Sequence, residues 1–278
     1  PAWWLAHVLS RDRTWLAYAA ALVLVISVAA RDLPDYFVEW PGRGMARFLY
    51  RADIQDVAYY LNSEPGVEDF ATSGLLAGPW DRLALTIGLE DRRAQTAGAR
   101  WYDPQRALIL SPAVAFAGFP VVEAPYADLQ ERLPGIQGVG GYRLMRIRPQ
   151  IAAELAGTGD PICFDNGLCW EHAAYDARDG LLDLVWSVGS DLDLPPIPLI
   201  SNPPPPGVYS GPRLLVFAQL QDAEGNFLVG DDGLWVDPQT LQAGDRFIQQ
   251  HRLAAPGKID GLTAVFGLYD PLSNERIL

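Results

Sequence analysis

Lysine is nearly missing from this sequence. Lys258 is the only one, and the rest of the 21 basic residues are arginine. Against 34 acidic residues they leave a formal net charge of −13. No basic stripe runs along any segment, which excludes nucleic acid as a partner, because phosphate binding needs clustered positive charge. Histidine is also scarce. His7, His172 and His251 are scattered, with no H-x-x-x-H or H-E-x-x-H spacing, so metal ligation is not expected. Only two cysteines are present, too few for a structural zinc site without histidine partners, and a C-x-x-C-H haem attachment is missing. No catalytic, metal or cofactor constellation emerges from the remaining residue types.

Apolar residues are plentiful. They make up 49% of 278 residues, enough to build a packed core in one large or two ordinary domains. The longest apolar run covers residues 14–30, TWLAYAAALVLVISVAA, with no charge, proline or glycine. At about 1.5 Å per residue it spans roughly 25 Å, slightly short of a hydrocarbon core of about 30 Å. Trp15 and Tyr18 suit one interface, and Arg11, Arg13 and Arg31 can snorkel. The run is expected to be a single transmembrane helix. A signal peptide competes, since Val28-Ala29-Ala30 has the small residues of a cleavage site. A retained anchor is the reading adopted. Ala17, Ala20, Ala21 and Ser27 would let other membrane helices approach closely. Residues 1–13, which include PAWWLAHVL, are expected to be an interfacial segment.

Beyond the helix the pattern predicts an α+β protein: an α/β domain over residues 31–149 and an antiparallel β-sandwich domain over residues 150–278. In the first, Ile54, Val57, Ala58 and Leu61 share one helical face, with Asp53 as the N-cap. Residues 69–76 read as a strand and its exit, 107–110 as a short buried strand, 126–133 as a second helix and 142–147 as a closing strand. In the second, alternating runs recur at 168–175, 181–188, 213–221, 246–253 and 262–269, between turns at residues 222–226 and 231–233. Residues 195–206 hold four consecutive prolines and read as a polyproline-like surface loop.

Cys163 and Cys169 flank Phe-Asp-Asn-Gly-Leu. A three-residue loop of Asp165, Asn166 and Gly167 would place Gly167 in the left-handed conformation and set Cys163 opposite Cys169. A disulfide then fits, and it favours an oxidising, extracytoplasmic compartment; two free thiols are the alternative.

Other candidates have plainer explanations. Asp231-Asp232 and Asp191-Leu192-Asp193 sit in expected turns, where aspartate is usual, rather than flanking a cleft as a glycosidase pair must. Asp222, Glu224 and Asn226 could offer oxygen ligands to Ca²⁺, but a hairpin turn accounts for the same residues. Gly138-Val139-Gly140-Gly141 lacks the strand, helix and Lys-Ser/Thr of a phosphate loop. Trp101, Trp170, Trp186 and Trp235 could line a sugar platform or fill cores.

One resemblance stands out. The apolar helix is followed by Asp35-Tyr36-Phe37-Val38-Glu39-Trp40-Pro41, then Leu49-Tyr50-Arg51-Ala52-Asp53-Ile54 opening a helix that ends Tyr60-Leu61-Asn62. Later come Phe217-Ala218-Gln219-Leu220-Gln221-Asp222-Ala223-Glu224-Gly225, Gly244-Asp245, Gly267-Leu268-Tyr269-Asp270-Pro271 and Glu275-Arg276. In this order they resemble the C-terminal extracytoplasmic region of polytopic bacterial glycosyltransferases related to the dolichyl-phosphate-mannose protein mannosyltransferases. The resemblance implies a lipid-phosphate-linked sugar as donor and a catalytic acidic residue in an early loop of a multi-helix membrane part. No position in this sequence matches that motif.

The expectation is therefore a membrane-anchored extracytoplasmic module on the outer side of a cell membrane, without cofactor. Its partners would be the lipid bilayer and other membrane-protein subunits, in a larger complex of respiratory or photosynthetic kind. The C-terminal part of a glycosyltransferase and a carbohydrate-binding module are the alternatives.

Overall fold

The computed structural model describes residues 14–45, 52–64, 67, 69–73, 79–89, 98–110, 114–117, 125–132, 143–147, 155, 159–196, 211–255, 257 and 261–278. The expected interfacial segment at 1–13, the glycine cluster at 135–141 and residues 197–210 of the proline-rich loop region lie outside these. Contacts divide the chain into two compact units, Pro1–Ala52 and Asp53–Leu278.

In the first unit α1, Thr14–Pro34, runs into a π-helical turn, Asp35–Glu39, and a last α-turn, Trp40–Gly42. Nothing over residues 14–30 interrupts a helix, since the stretch lacks proline, glycine and charge. The helix outlasts that stretch and continues through Arg31, Asp32 and Pro34. Among the described residues no helix is long and apolar enough to cross a membrane.

The second unit is mixed α+β and dominated by sheet. Its first half contains α2 (Ala52–Ser63), β1 (Asp69–Ser73), α3 (Pro79–Gly88), β2 (Gly98–Tyr102), β3 (Ala107–Ile109), β4 (Val114–Ala117), β5 (Gln130–Arg132) and β6 (Arg143–Ile147). Five of these strands form a sheet in the order β2-β1-β4-β6-β5, in which β1 is parallel to β2 and β4 while β6 is antiparallel to β4 and β5. The helical stripe Ile54, Val57, Ala58 and Leu61 is buried together with Leu85 of α3 and with Phe70, Trp101 and Leu144 of the sheet. A Cβ at Gly88 would lie 2.7 Å from that of Ala58, so glycine is what lets the end of α3 close on α2. Side-chain amides of Gln55 and Asn62 donate to the Ala84 and Gly88 carbonyls, each at 3.0 Å, and tie the helices together.

Successive strand residues point to opposite faces. Phe70, Trp101 and Leu144 thus meet the helices, while Ala71, Tyr102 and Met145 join a second, larger core. That core belongs to two antiparallel sheets. One has the order β3-β12-β9-β8-β7 and the other β11-β10-β13-β14. The new strands are β7 (Ile162–Cys163), β8 (Leu168–Asp176), β9 (Leu181–Val188), β10 (Leu215–Gln221), β11 (Phe227–Gly230), β12 (Arg246–Arg252), β13 (Thr263–Tyr269) and β14 (Arg276–Ile277). Alternation buries Val216, Ala218 and Leu220 of β10 against Leu184, Trp186 and Phe247 of the facing sheet. Phe266 of β13 meets Trp170 at 5.1 Å and Trp186 at 6.5 Å between ring centroids.

Two sequence readings need correction. The helix expected at 126–133 is not seen over the described residues 126–132: Tyr126 precedes a 3₁₀ turn, Ala127–Leu129, and the chain then extends as β5 along β6. The helical spacing of Tyr126 and Leu129 is overridden by sheet pairing. Helix α3 was not read at all. One strand also crosses the expected boundary at residue 149, because β3 pairs with β12 with Phe247 opposite Ile109.

Candidate functional site

A polar cluster lies beneath the turn that follows β11. His251 of β12 is fully buried. Its Nδ1 is 2.6 Å from the carbonyl oxygen of Asp231, which can only accept, so Nδ1 carries the proton. The Gln249 amide settles the other nitrogen. Its Oε1 accepts from the Trp235 backbone N–H at 3.2 Å, so its Nε2 donates to His251 Nε2 at 2.9 Å. Both ring nitrogens are engaged in a neutral tautomer. Burial is the main cause of a pKa below the usual histidine range, opposed by the bond to the Asp231 carbonyl. The Asp231 carboxylate accepts from Arg106 Nη1 at 2.7 Å and from the Arg252 backbone N–H at 2.6 Å. The Arg106 guanidinium also lies 4.8 Å over the Trp235 ring. Asp232 accepts from the Ala218 backbone N–H and from the Tyr269 hydroxyl, each at 3.3 Å.

Asp232 is exposed, in keeping with the turn read from the sequence, but Asp231 is half-buried and ties the turn to Arg106 and to the β12 backbone at Arg252. Histidine in this setting is no general base, because neither ring nitrogen is available to a reactant. His172 sits exposed on β8, remote in role from this cluster.

A second cluster joins the two halves of the same unit. Arg100 of β2 donates through Nε and Nη2 to the two carboxylate oxygens of Asp245, at 2.7 and 3.1 Å, and through Nη1 to Asp69 at 2.8 Å. The Arg100 and Asp245 side chains are each 4% exposed. Burial works against the charged guanidinium, but the bonds to Asp245 and Asp69 outweigh it and leave its pKa raised. Tyr126 and Gln250 both donate to Asp183 Oδ1, at 2.8 and 3.1 Å. Burial first, and the Asp183 charge second, push the Tyr126 phenol far above its usual range. Arg246 holds Glu171 at 2.5 Å. These groups satisfy one another across packed elements. Among the described residues, no group of His, Cys, Asp or Glu is arranged to hold a metal ion.

No protein-family model matches the chain, and no curated protein does. The functional reading therefore stands on residues alone.

Of the segments quoted for the resemblance, those of β10, β13 and β14 are neighbours in one sheet, whereas Asp35–Glu39 and Gly244-Asp245 lie elsewhere. Phe217 pairs with Gly267 across β10 and β13, and a Cβ at Gly267 would strike the Phe217 ring at 2.7 Å. Asp270 receives the guanidinium of Arg213 and the Leu272 backbone N–H, the latter at 2.9 Å. The hydrogen bond from Arg213 holds the Asp270 carboxyl below its usual range. Asp222 folds its own turn, accepting from Glu224 N at 3.0 Å, Asn226 N at 2.7 Å and Asn226 Nδ2 at 2.9 Å. These bonds are those of the hairpin turn read from the sequence.

Of the four tryptophans considered for a sugar platform, Trp101 and Trp186 are core residues. Trp170 is half-buried against Phe266 and Trp235 lies under Arg106.

Cys163 and Cys169 face each other across β7 and β8 and are joined as a disulfide. The register is the one read from the sequence, with Gly167 at φ +90°. The hairpin fastens its surroundings. Gly167 O accepts from the Gly189 N–H at 2.9 Å, Asn166 O from Asp193 N at 3.0 Å, and Asp165 N donates to Leu278 O at 2.7 Å.

The remaining candidate is α1. Leu22, Val23, Leu24, Val25 and Ile26 are consecutive and all between 57% and 65% exposed. No stripe of the helix is polar over this stretch. An isolated exposed leucine needs no explanation, but an apolar helix surface on every side does.

Proposed function

We propose that this chain is a membrane-anchored extracytoplasmic module, held by residues 14–30 and acting as an accessory or scaffold part of a larger membrane assembly. The observation that carries the reading is the apolar surface of α1. Each large aliphatic side chain gains about 1.5–3 kcal/mol on full burial, so five consecutive exposed ones imply a cover worth several kcal/mol. Lipid, or neighbouring helices within lipid, is the solvent such a surface suits. The described helix falls short of a self-sufficient span, which a bilayer accommodates by local thinning and by snorkelling of flanking arginines. The Cys163–Cys169 disulfide supports the oxidising side for the β-rich unit. The polar clusters around His251 and Arg100 support a scaffolding role, since their bonds are directed inward.

Carbonate extraction of membranes tests the anchor: the chain is expected to stay in the pellet, and release into the supernatant overturns it. Purification in mild detergent tests the assembly: co-purification of stoichiometric subunits is expected, and a pure single chain refutes it.

A second reading is favoured by the clustering of Phe217, Gly267 and Asp270 in the sheet. Here the chain is the C-terminal part of a lipid-linked-sugar glycosyltransferase. Reading the coding sequence upstream of Pro1 tests it: many further membrane spans with an early acidic loop motif are expected. A start codon close by sinks the idea.

A further inference from the structure

The helix changes character after Ala30. From Asp32 onward its polar residues fall at helical spacing along one line, Asp32, Asp35, Glu39 and Arg43. Arg43 Nη2 sits 2.7 Å from Asp35 Oδ1 and 3.8 Å from Glu39 Oε2, so one arginine pairs with both acids and the stripe keeps a net negative charge. The other sides carry Leu33, Tyr36, Phe37, Val38 and Trp40. Of these Tyr36, Phe37 and Val38 are 59%, 66% and 73% exposed. Tyr36 stacks flat on Trp40, with ring centroids 5.6 Å apart and 3° between planes, and meets Phe37 edge-on at 5.1 Å. Pro34 lies inside the helix and the π-turn Asp35–Glu39 follows it, the two features at which helices bend.

An aromatic ledge with a self-paired polar edge matches the boundary between hydrocarbon and headgroups, where tryptophan and tyrosine concentrate. The ledge follows the 14–30 anchor directly, and the paired Arg31 and Asp32 mark where the apolar run ends. We propose that residues 35–42 form an interfacial collar that seats in the lipid headgroup boundary. Tyr36, Phe37 and Val38 face lipid and the Asp35–Glu39–Arg43 stripe faces water. This proposal rests on the anchor reading above. Its chemistry is specific: Arg31 and Arg43 do not outnumber Asp32, Asp35 and Glu39, so the collar takes zwitterionic lipid and gains nothing from anionic headgroups.

Spin-label depth measurement on the full chain in phosphatidylcholine vesicles tests it. Both native cysteines are paired, so a cysteine introduced by Val25→Cys, Phe37→Cys or Glu39→Cys is the one labelled in each variant. Val25 is expected deep, with high oxygen and low nickel-chelate collision rates. Phe37 is expected at the headgroup boundary and Glu39 in water, with the same profile when anionic lipid is added. If Val25 is deep while Phe37 is as open to the nickel chelate as Glu39, the collar is refuted and the anchor stands. If Val25 itself is open to water, the anchor fails and the collar with it. A Phe37 label shielded from both oxygen and nickel means a protein partner covers the ledge, which also overturns the lipid assignment, as does a need for anionic lipid.

Discussion

Replacing Arg100 by methionine should be among the most damaging single changes to the β-rich unit. The side chain is 4% exposed, and its removal strands the Asp245 carboxylate, also 4% exposed, with only the Gln242 backbone N–H at 2.8 Å as a partner among the described residues. Removing one member of a buried ion pair costs about 3–5 kcal/mol, most of it from the uncompensated charge left behind. Asp245→Asn should cost less, about 1.5–3 kcal/mol, because Arg100 keeps Asp69 and the Gly98 carbonyl. Asp69→Asn should cost under about 1 kcal/mol, since Asp69 is 61% exposed and water screens the pair. Thermal unfolding of the full chain in mild detergent, followed by the fluorescence of buried Trp101 and Trp186, reads these differences. For a unit of this size 1 kcal/mol moves Tm by about 2–4 °C, so Arg100→Met should lower it by about 10 °C. The reasoning is refuted if Arg100→Met shifts Tm by no more than Asp69→Asn does. The double change Arg100→Met with Asp245→Leu should recover much of the loss, because it removes both charges together.

Three further outcomes follow from the geometry. His251 is held neutral with a pKa below the unfolded value of about 6.5, so its contribution is present above that pH. As pH falls the unfolded state binds the proton first, and stability should drop by up to about 1.4 kcal/mol per pH unit until the folded pKa is reached. Urea midpoints from pH 8 to pH 5 check this, and an equal slope in His251→Asn would contradict it. Gly180→Ala should cost at least about 1–3 kcal/mol, because Gly180 has φ +65° and a Cβ there would meet the Ala254 Cα at 2.6 Å; a wild-type Tm would show the turn is mispositioned. Reducing Cys163–Cys169, of sequence separation 6, should remove about 2 kcal/mol by chain entropy and loosen the bonds to residues 189 and 193. Amide exchange at Gly189 and Asp193 should rise on reduction, and unchanged protection would rule out the clamp.

Where local pattern and tertiary packing agree, the sequence was readable. The strands at 181–188, 246–253 and 262–269 appear because alternate residues must enter a two-sheet core, and alternation is visible in the primary structure. The Cys163–Cys169 hairpin was equally legible, since loop length and Gly167 fix the register. Helix α3 was not, because its ten residues begin at Pro79 between segments with no clear period. The role of Asp231 was invisible for another reason. Its partner Arg106 lies 125 residues away, and no local signal announces a partner at that distance. The same applies to Arg100 and Asp245, separated by 145 residues. Trp101 and Trp186 show the limit of composition: an aromatic can be platform or core, and only the fold decides.

The edge strand β3 has a further consequence. Ala107, Leu108, Ile109 and Leu110 are all buried in the finished protein, yet their hydrogen-bonding partner is the late strand β12. During synthesis at about 5–20 residues per second this greasy ribbon waits roughly ten seconds or more for its mate to emerge. Over that interval it is an open sticky edge, exposed to mispairing. A truncated chain starting at residue 150 would leave the complementary scar on β12, so the sandwich cannot be cut out cleanly.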